Sequence, residues 1–445
     1  MLDNLKHIPL TNTLLRRTPV MYSHAIRAIT ATADMDFDQL QAYQQAKIAR
    51  MLTIARTLPG YRSCPASDEL RDWPVLEKPD LLAREHLFTP RKGLAILKAG
   101  TGGTTGQPLQ LRRSHYNVVF EQAAVDSLCQ MTGANPAQAR SAILRGDSIN
   151  LPQNGEQEFW IDEGRRKRIY SAHHLSPSTA ARYIASLREY SPDILFCYPS
   201  SLAALLVHID RLDGLRVPLV VTSSEVLHAD TLMQARDRLG CDLVDLYGHA
   251  ERVAMAYAVN GRDYRFLPSY GHIELQPCGN GRAKIIATSL RPDGQVLIRY
   301  NTGDIALVGN ADAEDLRRME LGLLPFNGIE GRDSEFIELP DGQRIIGLNH
   351  IPRGVSGAAS VQLHHGAAET MDIYIVPGAS FGAPTTRAIL ENFRAKFPAA
   401  IAVRLWSVDA PLREPNGKAP LLLRAPVIPA DRRPVHATHG VPAAA

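Results

Sequence analysis

The spacing of apolar side chains near the start of the chain predicts one long amphipathic helix. Across residues 36–62, apolar residues such as Leu40 and Ile54 recur at mostly helical intervals. The pattern stops at Pro59-Gly60, a pair that ends helices. We therefore expect one face of this helix to lie against a hydrophobic core.

A second pattern, from residue 175 to residue 251, alternates helical stretches with short apolar runs. Ser176 and Pro177 predict the start of the first helix, because serine caps helices and proline fits the first helical position. Such alternation implies parallel strands joined by right-handed helical crossovers. Ligands of these sheets usually bind at the carboxyl ends of the strands. Two polar stretches, Thr222–Glu225 and Tyr247–Glu251, follow expected strands and should face that edge.

Beyond residue 270 the pattern changes to short β segments separated by glycine turns. Residues 283–290 and 295–301 predict a hairpin joined through Asp293-Gly294. Beyond residue 332 the order is a hairpin, two strands, a helix and a last strand, which is typical of a compact α+β unit.

These patterns predict an α/β protein of two domains. The large amino-terminal domain, with mixed and parallel sheets and helices, covers residues 1–331, and a small, mobile α+β carboxy-terminal domain covers residues 332–424. A length of 445 residues supports this division because it exceeds what one hydrophobic core usually organises. The stretch 425–445 is rich in proline and alanine and lacks periodicity, so we expect a disordered tail.

Composition narrows the classes of function. A formal charge of +3 is too small for a nucleic-acid footprint. The five cysteines are scattered and never spaced C-x-x-C, which argues against a disulfide framework or a local zinc site and favours a reducing compartment. The sequence shows no secretory signal and no long uncharged apolar stretch. We therefore expect a cytoplasmic protein without a membrane span.

A run of glycine and threonine after a short apolar stretch is the densest local signal in the chain. Glycines let backbone N–H groups turn toward an anion, and threonine hydroxyls can donate to phosphate oxygens. The run is not a Walker A loop, because Gln107 stands where that motif has lysine. A solvated turn is the alternative interpretation. The run comprises Thr101, Gly102, Gly103, Thr104, Thr105 and Gly106.

Four further motifs follow this run in order along the chain. They are Tyr-Gly-His-Ala-Glu at 247–251, Asn-Thr-Gly-Asp at 301–304, Gly-Arg at 331–332 and Gly-Lys at 417–418. Together with the glycine run they resemble the motifs of the adenylate-forming enzymes, the superfamily of acyl-coenzyme A synthetases, carrier-loading adenylation domains and luciferases. The short chain and the Thr-Ser-Ser-Glu stretch most resemble the phenylacetate-coenzyme A ligase branch and, within it, the CapK-type proteins associated with capsule biosynthesis gene clusters.

The resemblance implies the adenylate-forming fold and an enzyme that uses ATP and Mg²⁺ to activate a carboxylic acid. The acid attacks the α-phosphate, which gives acyl-AMP and pyrophosphate, and coenzyme A then takes the acyl group. In this scheme the glycine run holds the β- and γ-phosphates, Glu251 binds Mg²⁺, and Lys418 stabilises the charge of the transition state. A solvated loop carboxylate and a solvated lysine are the alternatives for these two residues.

The resemblance also implies how the nucleotide is held. Tyr247 covers adenine, Asp304 accepts hydrogen bonds from the ribose hydroxyls, and Arg332 contacts the ribose or the phosphates. Ser224 and Glu225 meet the edge of the purine. Without the resemblance, a core tyrosine and a turn-capping aspartate are the ordinary interpretations of Tyr247 and Asp304. The remaining implied nucleotide-binding positions are Gly248 and His249.

Three positions depart from the pattern of the superfamily. Gln107 replaces a lysine, Ala250 replaces a threonine or serine, and Ser334 stands where the hinge usually has aspartate or lysine. His249 is a candidate for the donor that Ala250 lacks. The departures leave open a non-catalytic relative that binds a nucleotide.

A second alternative concerns the acceptor of the acyl group. An amine or a carrier protein can replace coenzyme A, and the basic run at 165–168 is either a surface for an acidic carrier or a solvated hairpin. The apolar and aromatic residues around Tyr247 are compatible with an aryl acid without requiring one. The sequence does not indicate the oligomeric state.

Overall fold

The computed structural model describes most of the chain. The described residues are 14–90, 96–100, 110–145, 159–209, 214–291, 294–330, 337–339, 344–345, 348, 351–352, 355–366, 370–395, 397–398, 400–413, 419–424 and 429–435.

Helices and strands are numbered in chain order. The helices are α1 (Pro19–Thr30), α2 (Phe37–Arg56), α3 (Lys78–Arg84), α4 (His115–Gln130), α5 (Ala180–Tyr190), α6 (Pro199–Leu206), α7 (Ala229–Leu239), α8 (Ala313–Glu320) and α9 (Ala383–Arg394). The strands are β1 (Ile96–Gly100), β2 (Gln110–Ser114), β3 (Ser141–Arg145), β4 (Trp160–Asp162), β5 (Lys167–Ser171), β6 (Ile194–Cys197), β7 (Leu219–Ser223), β8 (Asp242–Gly248), β9 (Met255–Val259), β10 (Arg265–Phe266), β11 (Gly271–Gly279), β12 (Arg282–Ser289), β13 (Tyr300–Leu307), β14 (Ile329–Glu330), β15 (Ile337–Glu338), β16 (Arg344–Ile345), β17 (Ala358–His365), β18 (Thr370–Pro377), β19 (Ala402–Ser407), β20 (Leu422–Leu423) and β21 (Arg433–Pro434).

The chain packs as two compact units. The first unit comprises Met1–Ala139, Glu163–Arg166 and Val244–Arg332. The second comprises Arg140–Asp162, Lys167–Leu243 and Asp333–Ala445. After Arg332 the chain stays in the second unit. The extents of the two domains predicted from the sequence stay predictions.

The long amphipathic helix that the sequence predicted is confirmed as α2 in the first unit. Its amino end carries a capping box: the Asp36 side chain accepts from the backbone N–H of Gln39, and the Gln39 side chain accepts from the N–H of Asp36. The apolar face of the helix joins the core of the unit together with residues of the β11 to β13 sheet. Its buried hydrophobic residues are Leu40, Ile48, Met51, Leu52 and Ala55.

Strands β11, β12, β13 and β14 form an antiparallel sheet in that order. The second strand of the predicted hairpin begins later than expected, at Tyr300. The backbone just before it bonds to other segments, because the N–H of Val296 donates to the carbonyl of Phe88 and the N–H of Ile298 donates to the hydroxyl of Tyr61. The predicted start of this strand was therefore wrong.

A second antiparallel arrangement in the first unit runs β8, β9, β10. Tyr247 lies near the end of β8, paired with Ala256 on β9. This pairing fixes the start of the Tyr-Gly-His-Ala-Glu motif at a strand end, as the sequence predicted.

The second unit contains a largely parallel sheet in the order β7, β6, β3, β5, β4. Strands β7, β6, β3 and β5 are parallel, and β4 is antiparallel to its neighbour β5. Leu144, Cys197 and Thr222 stand level in register on β3, β6 and β7. The parallel arrangement and the α/β class that the sequence predicted are confirmed.

Helix α5 begins later than the serine and proline signals predicted. It starts at Ala180 with Thr179 as its N-cap residue. The hydroxyl of Thr179 donates to the carbonyl of His174 at 2.6 Å and accepts from the N–H of Ser176 at 2.9 Å. These bonds close a separate turn ahead of the helix, so the predicted start at Ser176 and Pro177 was wrong.

The carboxy-terminal part of the second unit has the predicted order of elements. Strands β15 and β16 form a hairpin, and β20, β17, β18, β19 and β21 form a sheet in that order. Helix α9 buries Ile389 and Phe393 in the same core as Ile373 of β18. Strand β21 lies within the stretch expected to be a disordered tail, so this part of the stretch carries secondary structure. Residues 425–428 and 436–445 of that stretch lie outside the described residues.

None of the helices in the described part of the chain is both long enough and apolar enough to span a bilayer.

Candidate functional site

Three aromatic rings stack at the predicted motif in the first unit. The ring of His249 lies 6.0 Å from that of Tyr247 at an interplanar angle of 22°, and 6.5 Å from that of Tyr300 at 5°. Strand β8 supplies Tyr247, and the first residue of β13 supplies Tyr300. We call Tyr247, His249 and Tyr300 the ring stack.

Each tyrosine of the ring stack holds one carboxylate. The hydroxyl of Tyr247 donates to Oδ2 of Asp304 at 2.8 Å, and the hydroxyl of Tyr300 donates to Oε1 of Glu251 at 2.8 Å. The structure therefore brings together candidates from two motifs that lie far apart in the sequence. Tyr300 was missed by the sequence reasoning, and its position directly before the Asn-Thr-Gly-Asp motif is the signal that could have found it.

Glu251 presents an oxygen that fits a cation. The residue is buried, and its Oε2 has no hydrogen-bond partner in the part of the chain that the structure describes. Burial raises the pKa of this carboxyl, but the charge of His249, the hydrogen bond from Tyr300, the charge of Lys78 and a backbone hydrogen bond together lower it by more. The pKa of Glu251 therefore lies below its ordinary value, and the group is ionised at neutral pH.

A buried, ionised carboxylate with an unused oxygen suits Mg²⁺, which takes oxygen ligands and commonly binds through one or two carboxylates with water and substrate phosphates. Within the described residues, no group of three or more histidine, cysteine, aspartate or glutamate side chains could enclose a metal. The residues present thus fit a metal held partly by a substrate, with Glu251 as the protein ligand.

Asp304 lies on β13 rather than in a turn, directly after Gly303, which has φ +77°. Its carboxylate is buried, and the bond from Tyr247 orients it. Burial and the charge of Asp304 raise the pKa of Tyr247 well above its ordinary value, so the hydroxyl remains a donor. The pair offers an oriented acceptor next to an aromatic ring.

The departure at Ala250 is accompanied by a contact from another strand. The carbonyl oxygen of Ala250 accepts a hydrogen bond of 2.6 Å from Nη2 of Arg113, which lies on β2. The sequence reasoning also missed Arg113. Its place on the strand after the glycine run is the available signal. Arg113 thus holds the backbone of the motif at Ala250.

The candidates in the second unit lie at the end of β7, where Glu225 binds two backbone N–H groups. Oε2 of Glu225 accepts from the N–H of Ser200 at 2.9 Å, and Oε1 accepts from the N–H of Ala419 at 2.8 Å. Nη1 of Arg413 donates to Oγ of Ser200 at 3.3 Å. Burial lowers the pKa of Arg413, although the charge of Glu225 opposes this. Ser224, beside Glu225, has a left-handed backbone with φ +73°.

The predicted site residues therefore fall into three groups. Those in the first unit gather at the ring stack, and those in the second unit lie at the end of β7. The remainder lie outside the described residues: Thr101, Gly102, Gly103, Thr104, Thr105, Gly106, Arg332 and Lys418. The departures at Gln107 and Ser334 lie outside them as well. The first group is Tyr247, Gly248, His249, Glu251 and Asp304, and the second group is Ser224 and Glu225.

No family model matches the chain. Protein CapK of Staphylococcus aureus is 18% identical over 269 residues, which make up 60% of this chain and 59% of that protein. The chain thus spans less than two thirds of the length of this curated relative.

Solved structures of one enzyme share the fold. A crystal structure of 2-hydroxyisobutyryl-CoA ligase in the postadenylation state with R3-HIB-AMP matches with a TM-score of 0.55 and 15% identity, over 86% of this chain and 89% of that chain. A structure of the same ligase with 2-HIB-AMP matches with a TM-score of 0.54 and 16% identity, over the same shares of 86% and 89%. The chain shares the fold of this ligase, and the predicted adenylate-forming fold is confirmed.

Proposed function

We propose that the protein activates a carboxylic acid with ATP, forming acyl-AMP and pyrophosphate, and then transfers the acyl group to coenzyme A. The observation that carries this proposal is the pair of tyrosine–carboxylate bonds, Tyr247 to Asp304 and Tyr300 to Glu251. In the proposed scheme one carboxylate binds the ribose and the other binds the metal. The ring stack holds two buried carboxylates and an aromatic face in one place.

Nucleotide binding in this scheme uses Tyr247 and Asp304. A carboxylate with two oxygens can accept hydrogen bonds from both ribose hydroxyls. The tyrosine hydroxyl stays protonated and fixes the carboxylate in one orientation. The ring of the same tyrosine offers a face on which a purine can stack.

Charge neutralisation in this scheme centres on Glu251. Bound Mg²⁺ supplies positive charge at the phosphates and orients them for in-line attack. Oε2 of Glu251 is the oxygen that would hold it, while Tyr300 fixes Oε1. The proposed roles of the glycine run, Arg332 and Lys418 rest on the order of the motifs.

Coenzyme A is the proposed acceptor because the structures that share the fold are coenzyme A ligases by name. The likeness of the motifs to the phenylacetate-coenzyme A ligase branch makes aryl acids the first substrates to test. An amine or a carrier protein is the alternative acceptor. The resemblance of the motifs to CapK-type proteins makes a biosynthetic gene cluster the proposed setting.

Release of pyrophosphate from ATP and Mg²⁺ across a panel of aryl, fatty and amino acids tests the proposal. We expect release with at least one acid, and an acyl-coenzyme A product when coenzyme A is added. Glu251→Gln should lose the activity while remaining folded. An amide product without a thioester would favour the alternative acceptor. Binding of ATP without pyrophosphate release for any acid would favour a non-catalytic nucleotide-binding protein.

A further inference from the structure

Arg145 lies at the carboxyl edge of the parallel sheet in the second unit. Leu144, Cys197 and Thr222 are paired on β3, β6 and β7. The next residue after each of them is Arg145, Tyr198 and Ser223, so these three lie side by side at the ends of the strands. Arg145 reaches across the middle strand: its Cζ lies 5.9 Å from the centre of the Tyr198 ring, and Nη2 donates to Oγ of Ser223 at 3.2 Å. The guanidinium is therefore held over the end of β6.

The charge of Arg145 has no carboxylate partner in the described part of the chain. Its Nε is buried there without a hydrogen-bond partner. Arg168 in the same unit provides a contrast, because it lies over the ring of Tyr190 at 4.8 Å but also pairs with Asp162 at 2.7 Å. A buried donor on a charged group is unfavourable unless another group accepts from it. Nε of Arg145 can therefore donate a hydrogen bond to an acceptor that does not belong to the described part of the chain.

The surroundings of Arg145 point to a ligand as that acceptor. Ligands of α/β sheets bind at the carboxyl ends of the strands, where Arg145 and Ser223 lie. Ser224 keeps a left-handed backbone, which is uncommon for serine and tends to mark functional positions. Both oxygens of Glu225 already accept backbone N–H groups. A guanidinium presents a planar fork that matches the oxygens of a carboxylate or a phosphate.

We propose that Arg145 is the cation of an oxyanion-binding site at this edge and that it binds a carboxylate or phosphate oxygen of a substrate. Ser223 fixes one side of the guanidinium, and Nε is left to donate to the ligand. The identity of the anion rests on the proposed function, which supplies two sources: the phosphates of ATP and the carboxylate of the acid.

Arg140 provides a matched control for a substitution of Arg145. It precedes the opposite end of β3, and its Cζ lies 6.0 Å from the centre of the Tyr190 ring. Arg140→Gln therefore removes an arginine over an aromatic ring from the residue just before the same strand, without touching the carboxyl edge. Arg145→Lys keeps the charge but loses the planar fork. Ser223→Ala keeps the whole guanidinium and removes the acceptor of Nη2, together with a 3.4 Å contact to the hydroxyl of Ser224.

The test is calorimetric titration of wild type and variants with Mg²⁺–ATP, AMP and sodium benzoate, together with thermal unfolding. We expect Arg145→Gln to weaken binding of at least one probe by about tenfold or more, since a charge-assisted hydrogen bond is lost. Arg145→Lys should bind that probe with intermediate affinity, and Arg140→Gln should bind like wild type. Weaker binding of ATP and AMP assigns a phosphate, and weaker binding of benzoate assigns a carboxylate.

Equal binding of all three probes by wild type and a folded Arg145→Gln would overturn the proposal. If Arg145→Gln does not fold, the same comparison is made with Arg145→Lys and Ser223→Ala, and wild-type binding by both would overturn it equally. Weakened binding in the Arg145 variants, together with no pyrophosphate release by wild type for any acid, would support the oxyanion site and reject the proposed adenylation.

Discussion

Oε1 of Glu225 accepts a hydrogen bond of 2.8 Å from the backbone N–H of Ala419, although 194 positions separate the two residues. The same carboxylate holds the N–H of Ser200 at the start of α6. Ala419 directly follows Lys418, the lysine that the motif order marks as catalytic. Glu225 thus anchors the backbone next to that lysine, and this contact suggests a role other than recognition of the purine edge.

Glu225→Ala separates these two roles. If Glu225 positions the segment next to Lys418, the variant should lower kcat of pyrophosphate exchange by about tenfold, as expected for loss of a charge-assisted hydrogen bond, with KM for ATP nearly unchanged. Glu225→Gln keeps one acceptor oxygen and should recover part of the rate. An increased KM for ATP at unchanged kcat would instead support the purine contact that the sequence predicted.

Lys418→Ala should abolish pyrophosphate exchange and leave the fold intact. A cation placed where negative charge develops acts mainly on the transition state, so kcat should fall much more than affinity for ATP. Exchange assays and thermal unfolding of the variant measure the two effects. Full exchange activity in the variant would remove Lys418 from the mechanism.

Tyr300→Phe should leave the carboxylate of Glu251 without a fixed orientation and thereby weaken the binding of Mg²⁺. The substitution removes the donor to Oε1 in a buried setting, and we expect a loss of about 1–2 kcal/mol in the free energy of unfolding. The Mg²⁺ concentration for half-maximal pyrophosphate release should rise, because the carboxylate loses its fixed orientation.

Tyr22→Phe is the matched control for this prediction. The hydroxyl of Tyr22 donates to Oδ2 of Asp126 at 2.7 Å, so the same kind of bond is lost outside the motifs. Urea unfolding should show a loss of stability in both variants, whereas only Tyr300→Phe should change the Mg²⁺ titration. An identical Mg²⁺ titration in the two variants would count against a positioning role for Tyr300.

Gly271→Ala should destabilise the first unit. A Cβ at this position would lie 1.7 Å from the carbonyl oxygen of Val253, a backbone atom that cannot move aside cheaply. We expect a loss of at least about 1–3 kcal/mol in the free energy of unfolding, as for other overpacked sites. Gly261→Ala, where the nearest atom is 3.7 Å away, should unfold like wild type. Equal free energies of unfolding for the two variants, measured in urea, would contradict the close approach of Gly271 to the carbonyl oxygen of Val253.

The sequence predicted those features that depend on local periodicity. Helix α2 and the parallel strands of the second unit follow from the spacing of neighbouring apolar residues, and both are confirmed. Boundaries were less predictable, because Thr179 closes a turn that competes with the helix signals of Ser176 and Pro177.

Partners that meet only through the fold were not predictable. Tyr300 and Glu251 are 49 positions apart, and Arg145 and Ser223 are 78 apart. Their contacts depend on which strands become neighbours, and the spacing of side chains within one strand does not determine its neighbours. The motifs located the two carboxylates and Tyr247, whereas Tyr300, Arg113 and Arg145 emerged only from the pairing of strands.

Glu320 at the end of α8 should make stability depend on pH. Burial, reinforced by the charge of Glu274, raises the pKa of Glu320 from 4.5 to about 7, although the N–H of Leu275 opposes the shift. The folded protein therefore binds this proton more tightly than the unfolded chain. The resulting stability is fully present below about pH 4.5 and is lost as the pH rises through about 7. Glu320→Gln keeps the acceptor for Leu275 but cannot ionise. Urea unfolding measures the free energy of unfolding at about pH 4.5 and about pH 8. Between these values, wild type should lose roughly 3 kcal/mol more of this free energy than the variant does. Parallel pH profiles of the two proteins would contradict this assignment.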